Sequence, residues 1–260
     1  MTDLRLRTRT TSELVDAAFS LYRRHAMQYI LVGAIGYSPF LILQLVTTGT
    51  APTTPAALFA SRGTALVLML ASMITFSLMS GVVIKHGAQV YLGGEPDLAK
   101  TVREVIPRLP SLIVAGLLSA LLYGLGLLFF LVGVFYIIAR YFAVSSAVVL
   151  EERGPFAALG RSSELSRDRK RHILNTLLLV FLIYFILSMG IGAFSQIFRS
   201  QVLQLVVTTT YTIVAYPVIS LTYMVLYYDA RIRGEGFDLE HMAKEIDAAG
   251  ATPSADGPTR

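Results

Sequence analysis

Residues 111–150 read SLIVAGLLSALLYGLGLLFFLVGVFYIIARYFAVSSAVVL, an unbroken apolar run whose one charge is Arg140. A helix needs roughly 20 apolar residues to cross the hydrocarbon core of a bilayer, so this run is about two crossings long. The polar stretches that flank it, 100–108 and 153–171, are both basic. Basic loops are retained on the cytoplasmic side of a membrane. The chain must therefore leave and return within the run. We read two spans, 111–131 and 134–150, joined by a tight turn at Val132-Gly133. One long or re-entrant segment is the alternative, and the charge pattern argues against it.

Four further runs have crossing length: 26–48, 64–84, 173–198 and 203–228. The expectation is an all-α, polytopic membrane bundle of six transmembrane helices with both termini inside. One transmembrane domain covers 1–247, and 248–260 reads as a disordered tail. Of the 22 Lys and Arg, only Arg62, Arg140 and Arg199 fall outside the segments assigned to the cytoplasm, and all 17 Asp and Glu fall within them. The net charge of +5 is then chiefly a signal of orientation. Attraction to anionic membrane lipid headgroups follows at about 1 kcal/mol per basic residue near the surface. No nucleic-acid motif accompanies the charge, so nucleic acid is not an expected partner. Only 15% of residues are charged, against about 25% in a soluble domain.

The nearly neutral segments 49–63 and 199–202 are the expected outer loops, the first rich in Thr, Pro and Ala and read as irregular. Residues 1–25 are polar and charged and lack a short apolar core before a cleavage site. The first span is expected to act as an uncleaved insertion signal, in the cytoplasmic membrane of a bacterium. There is no cysteine, which excludes disulfides and thiolate chemistry.

An amphipathic segment precedes each hairpin. In the first, 10–25, Thr10-Thr11-Ser12-Glu13 fits a capping box and Leu14, Ala17, Ala18 and Leu21 share one face. In the second, 96–109, Pro96 and Pro107 bound a short helix. The third, 155–171, has Pro155 at a first helical position. Helices of this kind lie in the interface, apolar face against the acyl chains. They either sense the membrane or dock a partner, or they simply join hairpins.

Arg140 lies about ten residues before Glu151, roughly 15 Å of helix. It either faces a polar cavity, with Tyr136 and Tyr141 beside it, or reaches the headgroups by snorkelling. Pro39 and Pro217 interrupt the first and last spans, as packing kinks or at a binding site. Ser77 and Gly81, Gly116, Ala120 and Gly124, and Ser188 and Gly192 recur at spacing four and are expected at helix contacts. The four histidines form no metal motif, and no nucleophile elbow, phosphate loop or dinucleotide fingerprint is present. No cofactor is expected.

The ending YYDARIRGEGFDLE, residues 227–240, is distinctive. With Arg140-Tyr141-Phe142-Ala143 ahead of Glu151, ALGRSSELS over 158–166, and Tyr91-Leu92-Gly93-Gly94, it resembles the bacterial glycerophosphoryl diester phosphodiesterase membrane domain-like family. Val132-Gly133, Ser163 and Gly234 depart from the family pattern. The resemblance implies a six-helix membrane module that accompanies a separate soluble catalytic barrel. No segment between the spans is long enough for such a barrel, so no phosphodiesterase activity is expected.

Asp229, Arg231, Arg233 and Glu235 alternate in sign and are expected to pair with Glu151, Arg161 or Glu164. Ser162 belongs to the same cytoplasmic motif. Gly234 and Gly236 are read as a turn before Asp238, which would cap a short final helix over 239–246. The functional expectation is a non-enzymatic scaffold or partner-binding membrane module, linked to membrane lipid metabolism, with a membrane protein as the expected partner. The alternative is a small transporter or lipid translocator using a cavity near Arg140.

Overall fold

The structure, a computed structural model, describes residues 7–47 and 55–237. Among the described residues every regular element is helical: α1 (Thr11–Arg24), α2 (Ala26–Thr47), α3 (Pro55–Tyr91), α4 (Leu98–Val105), α5 (Leu109–Leu127), α6 (Phe130–Arg140), α7 (Val144–Leu150), α8 (Pro155–Leu165), α9 (Lys170–Ser195) and α10 (Gln201–Glu235), with one 3₁₀ turn, Ile106–Arg108. Five segments are long and apolar enough to cross a membrane: Met69–Tyr91, Leu98–Leu127, Val132–Leu150, Lys170–Ser195 and Gln201–Glu235. That is the architecture of a multi-pass membrane protein. The first expected span coincides with α2. The expected tail, Asp238 and the helix over 239–246 lie outside the described residues.

Burial is uneven in a way a water-soluble bundle would not tolerate. Leu121, Leu125, Leu127, Leu128, Phe129 and Val132 around the α5–α6 turn are all exposed, as are Phe181, Leu182, Phe185 and Ile186 on α9. A continuous apolar surface of this kind marks a membrane or interaction face. The packed core lies toward the charged end. From Leu221 to Ala230 along α10 nearly every side chain is buried, Leu221, Met224, Val225, Leu226 and Tyr227 completely. α10 is the central member and packs against α1, α2, α3 and α9.

Several expectations need correction. The turn between the third and fourth spans comes at Leu128-Phe129, not at Val132-Gly133. Gly133 is one turn into α6, where a Cβ would meet the Gly126 carbonyl oxygen at 2.5 Å, so its role is close approach of the two hairpin arms. The fourth span is not continuous: α6 stops at Arg140 and α7 resumes at Val144. The loop expected over 49–63 is already helical from Pro55, which takes a first helical position. Among the spacing-four residues, Gly81 does pack closely, against Leu112 and Val105, but a Cβ on Gly116, Gly124 or Gly192 would meet nothing within 4 Å.

α1 forms as expected, with the Thr10–Glu13 capping box present. Its apolar face does not lie open to acyl chains. Leu14, Ala17, Ala18 and Leu21 are fully buried, packed within the protein by α9 and α10. Pro217 sits inside α10 and cannot hydrogen-bond back to the Ile213 carbonyl. Gly33 of α2 crosses at that point, where a Cβ would come within 3.0 Å of the Ile213 oxygen. Pro39 lies within α2.

Candidate functional site

The break between α6 and α7 is held by α8. Ser162, fully buried, accepts a hydrogen bond from the Ala143 N–H at 2.9 Å and donates one to the Arg140 carbonyl at 3.0 Å. One hydroxyl thus satisfies a donor and an acceptor released where the helix stops. Next to it, Arg140 Nε donates to the Ser163 hydroxyl at 2.9 Å. The Arg140 guanidinium lies 5.6 Å from the Tyr141 ring centre. Arg140 therefore meets a partner residue at the level of α8.

Arg140, Tyr136 and Tyr141 do share a groove, of about 500 Å³, closed by Leu122, Phe129 and Ile137. Tyr136 is exposed and takes Lys170 Nζ at 5.1 Å from its ring centre. The three residues singled out from sequence are thus neighbours, although most of the groove wall is apolar.

The terminal motif divides into two clusters, because α10 continues through it and residues two apart on a helix point to opposite sides. On one side Glu235 accepts from Arg161 Nη2 at 2.9 Å and from Arg231 Nε at 3.0 Å. Arg161 Nε in turn donates to Glu151 at 2.8 Å. Glu151 also accepts from Arg153 Nε at 2.6 Å and from the Tyr227 hydroxyl at 2.8 Å. Glu164 stands at the outer edge, 3.8 Å from Arg161. Burial would raise the Glu151 carboxyl, but hydrogen bonds from Arg161, Tyr227 and Arg153 outweigh it and hold the group below its ordinary value. The Glu235 hydrogen bonds push Arg161 further above its ordinary value, against the opposing effect of burial. Arg231 also stacks over Phe237, 4.1 Å from the ring centre.

On the other side lies Asp229, 2% exposed, a buried carboxylate with three donors. It accepts from the Arg9 backbone N–H at 2.8 Å and from Arg233 Nε at 2.7 Å, and faces His172 Nε2 at 3.2 Å. Arg233 Nη2 returns to the Arg9 carbonyl at 2.6 Å. Arg9 and His172 were not foreseen as members of this site. The i,i+4 spacing of Asp229 and Arg233 was the available signal that they belong on a separate face.

The expected pairing of the motif with Glu151 and Arg161 is thus met by Glu235, and through it Arg231. Asp229 and Arg233 fasten the segment before α1 to α10 instead. Gly234 lies inside α10, and Gly236, at φ 66°, ends it with a left-handed residue whose N–H bonds to Ile232 O. Two outer pairs, Arg108–Glu152 and Lys85–Glu104 at 3.4 Å, complete the charged rim. Arg23, Arg24, Lys100, Arg103, Arg167 and Arg171 remain exposed and make no ion pair among the described residues. Comparison with known proteins returned no matching family model, no matching curated protein and no matching solved structure.

Proposed function

We propose that this protein is a non-enzymatic module of the bacterial cytoplasmic membrane. In this reading it has six spans and both termini inside, and its charged rim docks a membrane-protein partner against anionic lipid headgroups. The single observation that carries this reading is the rim itself. Glu151, Glu235 and Asp229 are engaged by internal ion pairs and hydrogen bonds that join the segment before α1, α8, α9 and α10. Six basic residues, Arg23, Arg24, Lys100, Arg103, Arg167 and Arg171, stay exposed without an ion pair among the described residues, against four such acidic ones, Asp16, Glu95, Asp97 and Asp168. A self-satisfied network is a poor reactant site and a good platform. The likeness of the 227–240 ending to the membrane domain family supports a role beside membrane lipid metabolism.

The docking role is tested by crosslinking in mild detergent: the same membrane protein should be captured by wild type and lost from Arg161→Ala, which opens the rim. Absence of any reproducible partner counts against it. Orientation is tested with single cysteines, since the chain has none. Arg199→Cys should react with an impermeant maleimide in intact cells, while Arg24→Cys and Arg167→Cys should not. Reaction at Arg24→Cys refutes the orientation.

The second reading, a small transporter or lipid translocator, is favoured by the groove at Arg140. If Arg140→Ala leaves lipid or solute movement unchanged in reconstituted vesicles, that role for Arg140 is lost.

A further inference from the structure

Three cavities of similar size lie between the helices, and one differs from the others in chemistry. The cavity among α1, α9 and α10, about 310 Å³, and that among α2, α3 and α4, about 260 Å³, are walled by aliphatic and aromatic carbon. Acyl chains fill such spaces without loss. The third, about 240 Å³, is bounded by α3, α5, the α6–α7 break and α10, and hydroxyl groups line it.

Tyr216 is already engaged, within reach of Ser80 and Ser220 and 3.5 Å from the Phe76 carbonyl. Ser119 bonds back to the Ala115 carbonyl at 2.8 Å. The hydroxyls of Tyr123, Tyr141, Ser145 and Tyr223 have no hydrogen-bond partner among the described residues. Tyr223 lies roughly 18 Å along α10 from Glu235, at 1.5 Å per residue, so the cavity reaches well inside the apolar belt. Bare hydroxyls in a hydrocarbon environment are costly. What occupies this space must therefore give and take hydrogen bonds.

We propose that this cavity binds an uncharged polyhydroxyl group of monosaccharide size. Charge is excluded by the lining, which holds no Asp, Glu, Lys, Arg or His. An ion there would lose its hydration with no counter-charge to replace it. Each hydroxyl is both donor and acceptor, which matches vicinal hydroxyls on a ligand better than a pure donor or acceptor. The rings of Tyr123 and Tyr223 add apolar surface to the lining, against which the C–H groups of a sugar can pack. The volume holds about eight waters at roughly 30 Å³ each, room for a small ring and little more. Gly116 borders the cavity, and the absence of a side chain there keeps it open. This site does not rest on the docking role of the rim, since neither shares a residue with the other.

The ligand is either a free sugar or the headgroup of a neutral glycolipid, and the experiment separates them. The full chain in nanodiscs is titrated with glucose, and in a second arm is offered glucosyl-diacylglycerol against phosphatidylethanolamine of the same acyl chains, with retention read by native mass spectrometry. Saturable glucose binding assigns a solute site. Selective retention of the glycolipid without glucose binding assigns a headgroup site. In either case Tyr123→Phe with Tyr223→Phe keeps both rings and should weaken binding about tenfold or more, since two hydrogen bonds are lost. Tyr184→Phe, outside the cavity, should leave it unchanged. If wild type binds neither ligand above the comparator, or the double variant binds as wild type does, the proposal is overturned and the cavity is left to water. The wild-type arms stand whatever the stability of the variant.

Discussion

Ser162→Ala removes one oxygen that serves both sides of the break between α6 and α7. The Ala143 N–H and the Arg140 carbonyl would each lose their partner, and both Ala143 and Ser162 are fully buried, so water does not replace it. A buried polar group left unpaired costs about 1–3 kcal/mol, and simple addition for two gives about 2–6 kcal/mol. Polar contacts between membrane helices average nearer ~0.6 kcal/mol, because the unfolded chain in the bilayer finds substitutes. The substitute here would be to rewind α6 into α7, which would pull Phe142, 3% exposed, out of the core. That route is costly, so we expect the lower part of the summed range, about 2–3 kcal/mol. Ser163→Ala takes only one hydrogen bond from the part-buried Arg140 side chain and should cost less than about 1 kcal/mol. The assay is equilibrium unfolding in mixed micelles, followed by far-ultraviolet circular dichroism, for both variants. If Ser162→Ala costs no more than Ser163→Ala, the hydroxyl does not hold the break.

Further outcomes follow from other sites. Arg161→Ala strips Glu151 and Glu235 of their shared partner; a double-mutant cycle with Glu235→Ala should give a coupling of about 1–3 kcal/mol, and a value near zero would mean the rim is not a network. Gly133→Ala places a Cβ 2.5 Å from backbone and should destabilise by about 1–3 kcal/mol, whereas Gly124→Ala, with open space, should be neutral or stabilising by up to about 1 kcal/mol; melting temperatures that fail to separate the two refute the hairpin contact. The Thr10 N–H, then Arg7 and the Thr10 hydroxyl, hold the Glu13 carboxyl down at about 2 from its ordinary 4.5. Its folded value is the lower one, so the cap's contribution is complete above about pH 4.5 and fades as pH falls toward 2. A carbon-detected titration should place the Glu13 midpoint near 2, and Glu13→Gln should remove the pH dependence of α1 in that window.

The long helices were legible because apolar length is a local property: α9 and α10 begin and end within a few residues of the expected spans, apart from the extension of α10 to Glu235. The break after Arg140 was not legible. Apolar residues run straight through Tyr141, Phe142 and Ala143, and what stabilises the interruption is a serine about twenty residues later. The turn at Leu128-Phe129 is hidden for a related reason: no turn residue marks it, and Gly133 serves close approach of the facing arm. At the rim, alternation of charge suggested one cluster, while helical geometry made two. No local pattern could bring Arg9 to Asp229, because that contact is set by the packing of α1 on α10.

The hydrogen bond from Arg9 to Asp229 spans 220 residues of chain. Synthesis runs from the other end, so Leu14, Ala17, Ala18 and Leu21 emerge long before the helix that covers them exists. Through the insertion of the earlier helices, α1 waits with its apolar face unmatched, and burial is complete only once α9 and α10 have both left the ribosome. A chain halted before α10 would display that face and the open grooves of α3 and α9, a recognisable mark of an unfinished product for a membrane protease or chaperone. The same fastening that joins the segment before α1 to α10 thus reports, during biogenesis, that α10 is in place.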